Sequence, residues 1–474
     1  MLNRSIIVRL FASICLIMAI ACPGWAATYY FDATNGNDSN NGLSPDQAFK
    51  TISKNNSYVR GIIVPGDRVL WKCGETFSDT NMIIGGNGSD GNNIIYGQYG
   101  DASLGNPLFT VEIRCRSPYA QGSYITIQDW DISSASASGL VIGGNDNLTI
   151  KNLNIYNCHD YGLEGKVETT YGASDNVLIE DVNIYSNTLY GVWGYLGDGS
   201  ILRKVISYNN GTVQNNISIS PAESSSIYLY DCTAYGAVGG AGFGTAVNYS
   251  DSSTTYVRCI SHDNNGGFIG HGKGTGTVTY INCLSYLNVV DGFTIGDGSA
   301  SNDNSAVMYN CVAYDNTDYG VRLLSTGTHT VKNCIVWGNA TSGTGWNFGR
   351  GGSAGTTISD YNCLDTSTDH PFASGGLYID WSAWQALGYD AHSIILDPLF
   401  FDASANDYRL RFDSPCRWVV GTPISGLTTD YAGNYISPNH PDIGAYQYQP
   451  SPIRHIINHH PARGRIINDI TSKP

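Results

Sequence analysis

One pattern constrains this chain more than any other: three columns of residues return together along its middle. The first holds Val182, Val205, Cys232, Cys259, Cys283, Cys311 and Cys334. Three residues later come Tyr185, Tyr208, Tyr235, His262, Tyr286, Tyr314 and Trp337, and two further on Asn187, Asn210, Ala237, Asn264, Asn288, Asn316 and Asn339. Successive spacings in the first column are 23, 27, 27, 24, 28 and 23 residues. A repeat that varies in length yet keeps its columns has strands in register and loops that absorb the insertions. Short β-like runs such as "TVTYINCLSY" and "GFTIG" fill each repeat, with no helical pattern between them. The fold class that follows is all-β: a single-stranded parallel β-helix, each repeat one coil about 4.8 Å from the next.

Alternation along a strand assigns directions. The Cys column points inward as a small apolar filler, the next residue outward, the next inward, and the aromatic column outward. Asn turns the chain, and stacked Asn side chains can hydrogen-bond from coil to coil. Gly292 and Gly320 are expected to allow the bend that follows. Side chains stacked in parallel do not point at one another, so the cysteines are expected to be buried thiols, although secretion would permit disulfides. No CxxC pair occurs, which argues against zinc.

The boundaries read as follows. Residues 1–27 resemble a secretory signal, with Arg4 and Arg9 before the apolar "LFASICLIMAIAC" and a small-residue site at Gly24-Trp25-Ala26. Residues 28–110 form an N-terminal cap and first coils, 111–355 the main coils, and 356–450 the C-terminal coils and an irregular cap. That last segment includes a short helix in "YIDWSAWQALGYD". Residues 451–474 are a polar tail expected to be disordered. The formal net charge is −15, and loss of Arg4 and Arg9 would leave −17. Such a charge disfavours nucleic acid and anionic membranes as partners. The apolar run near the start is too short to span a bilayer comfortably. A secreted monomer is the expectation.

At these residues the chain resembles a known group. "YYFDATNGNDSNNGLSPDQAFKTI" with "PGDRV" is similar to the opening of secreted right-handed parallel β-helix proteins, including family 9 polysaccharide (pectate-type) lyases. "NCLSYLNVVDGF" and "NCVAYDNTDYGVRL" are similar to that family's core repeats, and "DYRLRFDSPCRW…DIGAYQY" to the closing segment of related proteins. The resemblance implies β-elimination on an acidic polysaccharide, with calcium bound at an Asp-Asp-Gly-Trp-Asp type motif and a Lys base in a Gly-Phe-Lys-Leu context. Here Val290-Asp291-Gly292-Phe293-Thr294 keeps one of the motif's three carboxylates, and Gly320-Val321-Arg322-Leu323 puts Arg322 at the base position.

The residues themselves indicate where such chemistry would lie. Outward positions after each bend offer His271 and Lys273, then Asp291, Thr294 and Asp297, then Asp318 and Arg322, then Asn347 and Arg350. Eliminating across a uronic acid needs a cation on its carboxylate and a base for the adjacent proton. Arg322, Lys273 and His271 are the catalytic candidates. An arginine makes a difficult base, since its reference pKa is above about 12, whereas a desolvated lysine or a neutral histidine is easier. Asp291, Asp297 and Asp318 are the candidate calcium ligands. Tyr286, Tyr314, Trp337 and Arg350 are candidates for holding sugar, because aromatic rings present flat apolar faces. Glu164 and Lys166, in "YGLEGK", form a second cluster several coils away. The alternatives are a non-catalytic glycan-binding surface protein, a C5-epimerase that shares the proton abstraction, and a hydrolase built on Asp291 and Asp318.

Overall fold

The computed structural model describes residues 26–449 apart from 117–121, 135, 169–171, 213, 250, 273, 299–302, 353 and 419–420. The expected signal peptide, but for its last two residues, and the expected tail lie outside the described residues, as does Lys273.

Successive coils contribute strands to three sheets, parallel throughout except at the end of the third, where Leu377–Ile379 pairs antiparallel with Phe372–Ser374. In the coil quoted above the strands are Thr277–Ile281 in sheet I, Leu284–Tyr286 in sheet II and Asp291–Ile295 in sheet III. Sheets I and III have 13 strands and sheet II has 12. The pairing keeps the sequence columns in register: Tyr286 faces Tyr314, and Tyr314 faces Trp337. A solenoid of stacked coils is therefore what the columns encode.

The interior follows the predicted alternation. Cys232, Cys259, Cys283, Cys311 and Cys334 are buried, as are Ser261 and Ser285 two residues after their cysteines. All ten described cysteines are free thiols. Phe243, Phe268 and Phe293 stack inside at 4.7 and 4.9 Å, edge-on to the buried Tyr256 and Tyr280 rings.

The Asn column is a buried ladder. Asn187 donates to Asn210 (2.8 Å), Asn264 to Asn288 (3.3 Å), Asn288 to Asn316 (2.9 Å) and Asn316 to Asn339 (2.9 Å). Where Ala237 interrupts the column, Asn216 repairs it, accepting from Asn210 (2.9 Å) and donating to Asn264 (3.1 Å). Each amide thereby satisfies groups that would be costly to bury alone.

The bend itself differs from expectation. It is made one residue before each Asn, where Asp263, Leu287 and Asp315 adopt left-handed backbone with φ of 52°, 55° and 51°. Gly292 and Gly320 do not have positive φ. They are glycines because any side chain there would collide with the next coil: Gly292 with the Gly320 carbonyl and the Asn316 amide, Gly320 with the Asn347 carbonyl. Close approach, not backbone freedom, requires them.

The ends are sealed. Phe31, Phe49 and Trp71 plug the N-terminal opening, with Phe31 stacked on Trp71 at 4.1 Å. At the other end the helix Trp381–Ala386, capped by the Asp380 carboxylate, lays Trp384 over Phe348 and Phe372 at 5.3 Å each. A later segment then turns back over sheet II, burying Tyr408, Leu410, Cys416 and Ile443 against Leu284, Val312, Ile335 and Cys363. No helix among the described residues is long and apolar enough to cross a membrane.

Candidate functional site

Sheet III carries the candidate site. Its outward row passes from Ile269 to Thr294 to Arg322 by direct pairing of adjacent strands. His271 lies two positions beyond Ile269, on the same side of its strand. His271, Thr294, Asp297 and Arg322, with Ile269 and Leu324, line one open cavity of about 480 Å³. The sequence columns could have indicated Ile269, because it shares a row with Thr294 and Arg322. Leu324, which follows the strand's end, had no such signal.

Arg322 is held from three sides. Its Nη2 donates to Asp291 Oδ2 (3.1 Å), its Nε to Thr294 Oγ1 (3.3 Å), and its guanidinium lies 4.3 Å over the Tyr319 ring. The side chain remains 24% exposed, whereas that of Asp291 is 6% exposed. A fixed, accessible cation thus rests on a buried carboxylate. Asp291 Oδ1 is buried without a hydrogen-bond partner. Burial, helped by nearby Asp318, pushes the Asp291 carboxyl above its usual range; Arg322 and Thr294 offset this only in part. Burial holds the His271 imidazole below its ordinary value against the opposing pull of Asp297, so the ring favours its neutral, proton-accepting form.

The remaining expectations fare differently. Asp291 is committed to Arg322, and the Asp318 carboxylate accepts from Thr344 Oγ1 (3.1 Å). Among the described residues no group of three or more His, Cys, Asp or Glu side chains converges to hold a metal ion. Asp291, Asp297 and Asp318 do not converge as one such group, and the Arg322 guanidinium rests on the Asp291 carboxylate.

Arg350 belongs to sheet III but pairs with Leu323, not Arg322. Its guanidinium donates to the carbonyls of Ala354 and Gly355 and rests 5.4 Å from the Tyr389 ring, so it does not line the cavity.

Tyr286, Tyr314 and Trp337 are on sheet II, a different face. Tyr408 covers Tyr286 (5.0 Å) and Tyr314 (5.3 Å), Phe400 also packs on Tyr314 (5.4 Å), and Trp337 joins the same apolar cluster. Further up the column, Tyr156, Tyr185, Tyr208, Tyr235, His262 and Tyr286 stack in sequence at 4.8–5.2 Å. Their faces are taken by one another. The open aromatic ridge expected from the columns is a structural stack that the C-terminal segment closes at one end.

Comparison with known proteins agrees with the fold. The family description "Right handed beta helix region" matches residues 119–269. The fold is a right-handed parallel β-helix. This β-helix aligns with the crystal structure of pectate lyase Pel9A at a TM-score of 0.53 and 16% identity, covering 90% of this chain and 97% of that one. It aligns with XylC, solved in complex with xylose, at a TM-score of 0.58 and 9% identity, covering 89% and 98%. A lacto-N-biosidase of Bifidobacterium longum subsp. longum is 27% identical over 131 residues, which is 27% of this chain and only 8% of that protein.

Proposed function

We propose that this β-helix is a secreted polysaccharide lyase that cleaves a uronic-acid polymer by β-elimination in the sheet III cavity. The single observation that carries the reading is the juxtaposition of a buttressed cation, Arg322, with a neutral imidazole, His271, on one cavity wall. Arg322 engages the substrate carboxylate, and its positive charge stabilises the carbanion-like charge that develops there. His271 accepts the proton from the carbon bearing that carboxylate. The freed electron pair forms the carbon–carbon double bond as the bond to the glycosidic oxygen breaks. That oxygen leaves with its electrons and takes a proton from water. Asp291 is too buried to touch substrate, so it serves as a positioning residue for Arg322.

The fold shared with a pectate lyase accords with an acidic polymer, and an acidic protein surface makes a local cation the sensible recognition element. The test is an absorbance screen over pectate, alginate and related uronans. Elimination leaves an unsaturated end that absorbs in the near ultraviolet. That signal should appear with at least one polymer and disappear in Arg322→Ala. No signal on any uronan sinks the lyase reading, and inversion at C5 without cleavage, read by proton NMR, would replace it with an epimerase.

A further inference from the structure

Followed away from Arg322 along sheet III, the outward row runs through Thr294, Ile269, Gly244, Ser218 and Trp193 to Glu164. Glu164 is six strands from Arg322, or about 29 Å. Between the two ends the row passes Ser218 and Gly244, with the Asn215 side chain packed against Gly244. At the far end is a second open cavity of about 350 Å³.

Its chemistry differs from that of the first. Every cation carries a carboxylate partner: Lys166 with Glu164 (3.0 Å), Arg116 with Glu168 (3.0 Å), and Arg114 with Glu112. Glu164 is 6% exposed, and its second oxygen accepts from Ser138 Oγ (3.1 Å). Asp160 adds a further negative charge to the lining. Tyr161 lines the cavity, and its ring is backed by Trp193, parallel at 4.9 Å and 12°. An anionic ligand meets no uncompensated positive charge here. A hydroxyl-rich ring meets fixed donors and acceptors beside a braced aromatic surface, the combination that suits a neutral sugar.

We infer that this cavity is a docking site for a neutral sugar unit, on the same face as the uronate site and separate from it. A polysaccharide lying along the face reaches both ends only if it is several units long. Recognition of neutral sugar at this end does not depend on the elimination chemistry at the other.

The test is affinity electrophoresis of the full-length protein in gels cast with xylan, galactomannan, arabinogalactan or mixed-linkage glucan. At least one of these should retard the wild type. Tyr161→Ala should weaken that retardation at least tenfold and Glu164→Gln should weaken it too, while Tyr161→Phe binds like wild type. Retardation by none of the four polymers, or unchanged binding in both Tyr161→Ala and Glu164→Gln, overturns the proposal. Thermal melts of each variant separate lost binding from lost folding, and Glu164→Gln supplies the answer if Tyr161→Ala does not fold. Absorbance on uronans reads the lyase proposal independently, so one idea can fail while the other stands.

Discussion

Arg322 Nη2 donates to Asp291 Oδ2 at 3.1 Å across adjacent coils, fixing an accessible guanidinium on a buried carboxylate. If that contact aims the cation, removing the cation and removing its support should have different signatures. Arg322→Ala should lower kcat/KM on a uronan by about 100-fold or more, the scale of losing one transition-state donor. Asp291→Asn keeps the shape but loosens the aim and should cost about tenfold, mostly in kcat. Arg322→Lys should not restore activity, since an ammonium cannot reach Asp291, Thr294 and the substrate in one planar fork. Equal kinetics for wild type and Asp291→Asn would remove the positioning role.

The pH profile carries a second expectation. Burial lowers the His271 pKa from its ordinary 6.5, while Asp297 acts in the opposite direction. A base must be neutral, so the rate is lost as pH falls through the lowered value, and activity should persist somewhat below pH 6.5. Asp297→Asn removes the raising influence and should move the acid limb lower still. Folding stability follows the same sign: the neutral form is favoured in the native state, so His271's contribution is present above its unfolded pKa and lost as pH falls through the folded one. An acid limb above pH 6.5 in the kcat/KM profile would exclude His271 as the base.

Chelation gives a third outcome. The carboxylates of Asp291, Asp297 and Asp318 do not assemble into one ligand set, so elimination assayed with excess EDTA should proceed at the untreated rate. A loss of activity that added calcium restores would show that the cation at work is a metal and not Arg322.

The Asn ladder makes a stability prediction. Asn288 donates to Asn316 and to the Ser261 carbonyl, and accepts from the Asn264 backbone and amide. Asn288→Ala leaves buried partners unsatisfied and should destabilise the fold by about 1–3 kcal/mol per orphaned group. Denaturant titration measures this. Ala237→Asn should produce no comparable gain, because Asn216 already bridges the gap to Asn264.

Thiol chemistry offers a check on the interior. The described cysteines are buried and unpaired, so they should resist a thiol reagent in the native protein and react once it is denatured. A reducing agent should leave the melting temperature unchanged; a drop would reveal a disulfide.

Periodicity made the fold legible because coil stacking is a local rule repeated: Cys283, Cys311 and Cys334 share a column because each occupies the same interior place. The same logic brought His271, Thr294 and Arg322 to one face, since positions two dozen residues apart fall into register. It failed for Tyr286, Tyr314 and Trp337. Their outward direction was correct, yet a segment more than 60 residues further along the chain folds back and covers them. Spacing also places Asp291 beside Arg322 without revealing that the guanidinium pairs with its buried carboxylate.

The amino-acid sequence by itself determined the winding, the identity of the interior columns and the sheet on which charged groups gather, because these depend on alternation and pairing between neighbouring coils. Only the tertiary structure decided which outward residues remain open to a ligand, which carboxylates are spent on internal partners, and why Gly292 and Gly320 are glycines. Those outcomes depend on contacts between distant segments and on burial, quantities that no repeat period encodes.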